Sequence, residues 1–164
     1  MNQLELVKSK IIKGERLRSL LNVWRFKDYK IVFTNGCFDI LHYGHIVYLA
    51  KASELGNILI IGLNTDVSVS SIKGNSRPVQ YEKTRAYCLA ALHFVDAVVL
   101  FDDDTPYNLI SSIRPDILVK GSDYKPEDIA GYDIVKSYGG RIINIELSKG
   151  YSTTGLINKI KKVS

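Results

Sequence analysis

Five short apolar runs set the frame for the whole chain: KIVFT (30–34), ILIIGLN (58–64), AVVLF (97–101), DILVK (116–120) and RIINIE (141–146). Each is nearly continuous rather than alternating, and each is bounded by Gly, Asp, Asn or Pro. A strand with one face in water alternates apolar and polar residues, whereas a strand covered on both faces does not. Between the runs, apolar residues recur at helical spacing over 45–55, 81–94, 105–113, roughly 126–138 and 153–160. Strand-helix alternation of this kind predicts an α/β fold with a parallel sheet, and right-handed crossovers place helices on both of its faces.

The predicted architecture is therefore a Rossmann-like, doubly wound, three-layer fold with a five-stranded parallel sheet. At 164 residues, without repeat, low-complexity tract or linker, the chain reads as one domain. Residues 1–28 form an amphipathic helical arm and residues 29–164 the main body. The arm carries apolar residues at helical spacing (Leu4, Val7, Ile11, Ile12, then Leu17, Leu20, Leu21, Trp24). This stripe predicts that the arm packs on the body or takes part in a homodimer interface.

Charge is unevenly placed. Residues 1–30 hold eight Lys/Arg against Glu5, Glu15 and Asp28, which accounts for the whole net charge of +5. A basic arm can serve nucleic acid, but the apolar stripe favours a solvated face on a packed helix, and neither nucleic acid nor membrane is expected as a partner. No run approaches a bilayer span and no secretory h-region is visible. Cys37 and Cys88 make no disulfide framework, so reduced thiols and a cytoplasmic location are expected.

In open parallel sheets, ligands bind beyond the carboxyl ends of the strands. The segments there are 35–45, 64–66, 102–105, 120–124 and 149–154, all strongly polar. After the first run comes TNGCFDILHYGH, with His42 and His45 three residues apart at a helix start. Three readings are open: zinc ligands, core histidines, or donors to an anion. Zinc needs three or four ligands, and the third histidine, His93, lies far along the chain. Gly36 and Gly44, the strand end and the positive pole of the helix agree with an anion. Lys73 lies in a polar Lys-Gly loop, as a surface lysine or a phosphate ligand. Arg85 lies on a helix with Ala86, Leu89 and Ala90, as a salt-bridge partner or a substrate contact.

At this point the chain resembles a known family. GCFDILHYGH fits the G-x-F-D-x-x-H-x-G-H signature of the nucleotidyltransferases that include cytidylyltransferases and phosphopantetheine adenylyltransferase. GYSTTGLI (150–157) resembles that family's S-T-T motif at the start of its last helix. KGNSRPV (73–79) and KGSDYKPEDIAG (120–131) are further similar to the adenylyltransferase domain acting on D-glycero-β-D-manno-heptose 1-phosphate, and this likeness runs from about residue 30 to 160. Cytidylyltransferases usually carry R-Y-V-D where this chain reads His93-Phe94-Val95-Asp96, and an arginine shortly before S-T-T where it reads Leu147-Ser148-Lys149.

The resemblance implies ATP as donor and transfer of AMP to a sugar 1-phosphate by in-line attack, with pyrophosphate released and no covalent intermediate. It also implies a role in making ADP-activated heptose for bacterial surface polysaccharide, with the acceptor supplied by a separate sugar kinase. His42, His45 and Lys73 are then the catalytic candidates. Thr34, Asn35, Gly36, Cys37, Phe38, Gly44, Asn64, Asp66, Ser152, Thr153 and Thr154 are the nucleotide-binding candidates. Asp39, Arg85, Lys120, Asp123 and Tyr124 are the substrate-binding candidates, with Asp39 also readable as a loop-holding carboxylate. Ser152–Thr154 equally suit a plain helix cap, which uses the same geometry. Mg²⁺ is expected with the phosphates, and no protein metal site is expected: Asp102-Asp103-Asp104 reads as a capped turn before Pro106. A cytidylyltransferase for a polyol or amino-alcohol phosphate, and a non-catalytic nucleotide- or nucleic-acid-binding module, are the alternatives.

Overall fold

The computed structural model describes residues 2–122 and 125–163. The element order is α1 (Gln3–Ser9), α2 (Gly14–Phe26), β1 (Ile31–Gly36), α3 (Tyr43–Ser53), β2 (Ile58–Asn64), α4 (Asp66–Lys73), α5 (Glu82–Ala90), β3 (Ala97–Phe101), α6 (Tyr107–Ile113), β4 (Ile117–Gly121), a 3₁₀ turn (Pro126–Asp128), α7 (Tyr132–Ser137), β5 (Arg141–Ile145) and α8 (Thr153–Val163). All five expected strands form one parallel sheet in the order β3-β2-β1-β4-β5. The chain winds outward from β1 to β3 and then returns to place β4 beside β1. Strand order thus reverses between β1 and β4, where the ladder pairs Val32 with Ile117 and Phe33 with Leu118.

Successive strand residues enter opposite cores, which explains the unbroken apolar runs. Val32, Leu59, Ile61, Leu63 and Val98 pack with Leu49 and Ala52 of α3 and with Ala86, Leu89 and Ala90 of α5. Ile31, Phe33, Ile58, Ile60 and Val99 pack on the other face with Leu17 and Leu21 of α2, Ile110 and Ile113 of α6 and Val135 of α7. Helices therefore cover both faces of the sheet. A fully buried Leu or Ile of this kind contributes about 1.5–3 kcal/mol.

The N-terminal arm is two helices with a crossing segment between them. Val7 and Ile11 join the first core, whereas Ile12, Leu17, Leu20, Leu21 and Trp24 join the second. Between α1 and α2 the chain passes β3, where Val98 N–H donates to the Lys10 carbonyl (2.8 Å) and Ile12 N–H to the Val98 carbonyl (2.9 Å). The apolar stripe of the arm is thus largely buried against the same chain.

Two elements depart from the sequence expectation. Helix α4 lies in a segment given no helical spacing from the sequence; Thr65 caps it by accepting from Ser68 N–H (3.2 Å), and buried Val69 anchors it. The helix expected over 126–138 is split by Gly131. Its φ of +86° belongs to the left-handed region, and a Cβ there would stand 2.8 Å from Ile110 Cδ1.

Candidate active site

Beyond the carboxyl ends of the strands lies a cavity of about 730 Å³, within the range of small-molecule sites. Two helix N-termini meet on it. Helix α3 begins after His42, whose Nδ1 accepts the His45 backbone N–H at 3.4 Å, which leaves Nε2 as the N–H of a neutral ring. Helix α8 begins after Ser152, whose Oγ accepts Gly155 N–H at 3.0 Å. The ends touch directly: the rings of Tyr43 and Tyr151 are 4.8 Å apart, and a Cβ on Gly44 would stand 3.1 Å from Tyr151 Cβ. Motifs more than 100 residues apart in sequence thus share one wall, and both offer free backbone N–H donors to an anion.

The two imidazoles stack, with Phe38 edge-on to His45 at 5.3 Å between ring centroids. Burial pushes the His42 pKa down. His45 falls further, to about 4, through burial first and then the charges of His42 and Lys73, with the Ile40 backbone opposing in part. Both rings are therefore neutral at pH 7, and the lysine at the end of α4 is near enough to act on His45 electrostatically.

Asp39 fixes the loop that carries Arg77. It is 2% exposed and accepts from Arg77 Nε (2.7 Å), Val79 N–H (2.9 Å) and Gln80 N–H (2.9 Å). Burial raises its pKa, but these hydrogen bonds and the guanidinium outweigh that and hold the carboxyl below its usual value. Lys120 reaches across the β1/β4 switch point to bond the Asn35 side-chain oxygen. Asn64 donates to Ser68 Oγ (2.9 Å), and Ser68 Oγ in turn donates to the Asp103 carbonyl (3.2 Å), bracing the floor under β2.

Of the residues expected from sequence, Asn35, Gly36, Cys37, Phe38, Asp39, His42, Gly44, His45, Asn64, Lys73, Lys120, Ser152, Thr153 and Thr154 line the cavity. Three stand behind its wall. Thr34 is buried with its hydroxyl bonded to Tyr48 OH (2.8 Å). Asp66 pairs with Arg85 (2.7 Å). The substrate contact expected of Arg85 is corrected: it is fully buried, and Nε, Nη1 and Nη2 donate to Gln80 O, Cys37 O and Asp66 Oδ1. Asp123 and Tyr124 lie outside the described residues. The structure adds Arg77, Asp128, Ile129, Leu147 and Tyr151 to the wall. Arg77 and Asp128 sit within the quoted KGNSRPV and KGSDYKPEDIAG stretches, the one signal that could have found them.

A doubly wound parallel sheet, its switch-point cavity and two anion-directed helix ends define a nucleotide-binding α/β enzyme. Residues 33–159 match the cytidylyltransferase-like family, and the chain belongs to that family as a nucleotidyltransferase. Among curated proteins it is 55% identical over 152 residues to the "Bifunctional protein HldE" of Syntrophotalea carbinolica, covering 93% of this chain and 31% of that protein. It is 56% identical over 142 residues to the protein of the same name from Campylobacter jejuni subsp. doylei, covering 87% and 30%. The chain thus spans about a third of the length of these relatives. A solved structure described as the lipopolysaccharide core biosynthesis protein of Thermoplasma volcanium superposes with a TM-score of 0.58 at 26% identity, covering 76% of this chain and 99% of that one. Pantoate-beta-alanine ligase from Francisella tularensis shares the fold, with a TM-score of 0.60 at 17% identity over 93% of this chain and 77% of that one.

Among the described residues no helix is long and apolar enough to cross a membrane, and no three His, Cys, Asp or Glu side chains converge as metal ligands. Asp39 and Asp66 are engaged by Arg77 and Arg85, while Asp104 and Asp128 also line the cavity.

Proposed function

We propose that this chain transfers AMP from ATP to D-glycero-β-D-manno-heptose 1-phosphate, giving ADP-heptose and pyrophosphate. The observation that carries the reading is the meeting of the histidine-bearing and Ser-Thr-Thr-bearing helix ends on one cavity. The names of the HldE relatives and of the Thermoplasma protein agree with it. An acceptor phosphate oxygen attacks the α-phosphorus in line, the bond from that phosphorus to the bridging oxygen breaks, and pyrophosphate leaves with the electron pair. Catalysis of this kind is positioning and charge stabilisation. Neutral His42 and His45 donate hydrogen bonds to phosphate oxygens, and a well-aimed donor is worth about 3 kcal/mol as charge develops. Ser152, Thr153 and the N–H groups of α8 hold the far side of the triphosphate. Mg²⁺ accompanying the nucleotide would be held mainly by phosphate oxygens and water and would supply neutralisation of their charge. Cytoplasmic action, a kinase that supplies the acceptor, and a homodimer formed over remaining apolar surface such as Phe26 (92% exposed) belong to the same proposal.

The test is pyrophosphate release measured with ATP and CTP against heptose 1-phosphate, other sugar 1-phosphates and glycerol phosphate. Turnover is expected with ATP and the heptose phosphate; preference for CTP and a polyol phosphate overturns the assignment. Light scattering checks the dimer.

A further inference from the structure

Two arginines, Arg77 in the loop between α4 and α5 and Arg85 in α5 itself, are completed very differently. Arg85 has all three nitrogens bonded within the protein. Arg77 lines the cavity with a side chain only 13% exposed, yet among the described residues its guanidinium makes one hydrogen bond, from Nε to Asp39. Nη2 is sealed from solvent without a partner. A guanidinium has five N–H donors and does not lose its charge, so leaving most of them unmet in a buried place is costly. Asp39 offers little more, because its two oxygens also accept Val79 and Gln80 N–H.

The group is nonetheless held in place. Arg77 N–H donates to the Gly74 carbonyl (3.0 Å), its carbonyl accepts from Ser70 Oγ (2.6 Å), and Asp39 grips Nε. A rigid, unfinished cation beside Lys73 and the histidine pair is a preorganised fork for phosphate oxygens.

We propose that Arg77 binds the β- and γ-phosphates of the nucleotide and the pyrophosphate formed from them, with Asp39 as its positioning residue. This deepens the nucleotidyl-transfer reading and rests on it for the identity of the leaving group. Arg77 is gripped by Asp39, three residues before His42, and follows Lys73, the last residue of α4, whose charge reaches His45. It is therefore placed at the histidine end of the cavity, whereas Lys120 and Asp128 lie at the strand-switch end.

The test is calorimetric binding of inorganic pyrophosphate, AMP and mannose 1-phosphate to the full chain and to Arg77→Gln and Arg77→Lys. Loss of one charge-assisted contact should weaken pyrophosphate about 10- to 100-fold in Arg77→Gln, with AMP and mannose 1-phosphate unchanged. Arg77→Lys, which keeps charge but cannot both hold Asp39 and fork a phosphate, should recover only part. Equal pyrophosphate affinity in all three proteins, or a loss confined to mannose 1-phosphate, overturns the proposal. A wild-type crystal soaked with pyrophosphate decides the case even where the variants fail to fold. A phosphate oxygen is expected within hydrogen-bond reach of the Arg77 guanidinium, and its placement elsewhere refutes the proposal. These readouts do not require turnover, so failure of the heptose assay would remove the substrate assignment without touching them.

Discussion

The rings of His42 and His45 lie face to face, with centroids 3.8 Å apart and planes inclined by 19°. Charging both rings at that separation in a half-buried corner is unfavourable, so the pair is built to stay neutral until an anion arrives.

A pH dependence of stability follows from His45. Its pKa is about 4 in the folded chain against an ordinary value of 6.5, so in that interval the unfolded chain holds the proton that the folded one lacks. Stability is then fully present above about 6.5 and declines as pH falls toward 4. Urea midpoints at pH 7.5 and 5 should differ more for the wild type than for His45→Gln. Phosphate binding should raise the pKa again, so pyrophosphate titrated near pH 5.5 in two buffers of different ionisation heat should show proton uptake.

Asp39→Asn keeps the shape of the side chain and removes its charge. It strands Arg77 in a buried place and weakens the grip on Val79 and Gln80. Thermal or urea unfolding should show a loss of about 3 kcal/mol.

Gly44→Ala separates stability from activity. The added Cβ meets Tyr151 Cβ at 3.1 Å and the His42 ring at 3.2 Å, so both must give by a few tenths of an ångström. Alanine favours the helix by up to about 1 kcal/mol, which offsets part of the strain. The melting temperature should barely change, while turnover falls roughly tenfold through displacement of His42.

Arg85→Met should behave in the opposite way to a substitution at Arg77. It leaves the Gln80 and Cys37 carbonyls and the Asp66 carboxylate without their donor, at a cost of about 2–4 kcal/mol. In protein that remains folded, KM for ATP should be unchanged.

How far the sequence could be read depended on how local each determinant is. Strands buried on both faces announce themselves as unbroken apolar runs, and all five were legible. The histidine corner was legible too, because a spacing of three at a helix start fixes a shared face without reference to the rest of the chain. Helix α4 was not, since DVSVSSIK is rich in Ser and Val, and it forms because Thr65 caps it and Val69 finds a core. The roles of the two arginines were not legible for a related reason. What separates a finished guanidinium from an open one is the set of carbonyls and carboxylates that the fold delivers: Asp39 and Cys37 lie 38 and 48 residues away from Arg77 and Arg85. Residue type and neighbours in sequence carry no trace of that.

The backbone bonds between the arm and Val98 bear on the solubility of the molecule. A parallel sheet ends in strands whose outward N–H and C=O groups can template pairing with another chain. On the β3 side, residues 10–12 occupy that row at Val98, and α1 and α2 clasp the sheet from its two faces. A chain shortened past residue 12 would therefore lose more than packing area. It would present β3 as an open template, and its first symptom should be concentration-dependent self-association with added β-structure, ahead of any loss of the cavity beyond the carboxyl ends of the strands.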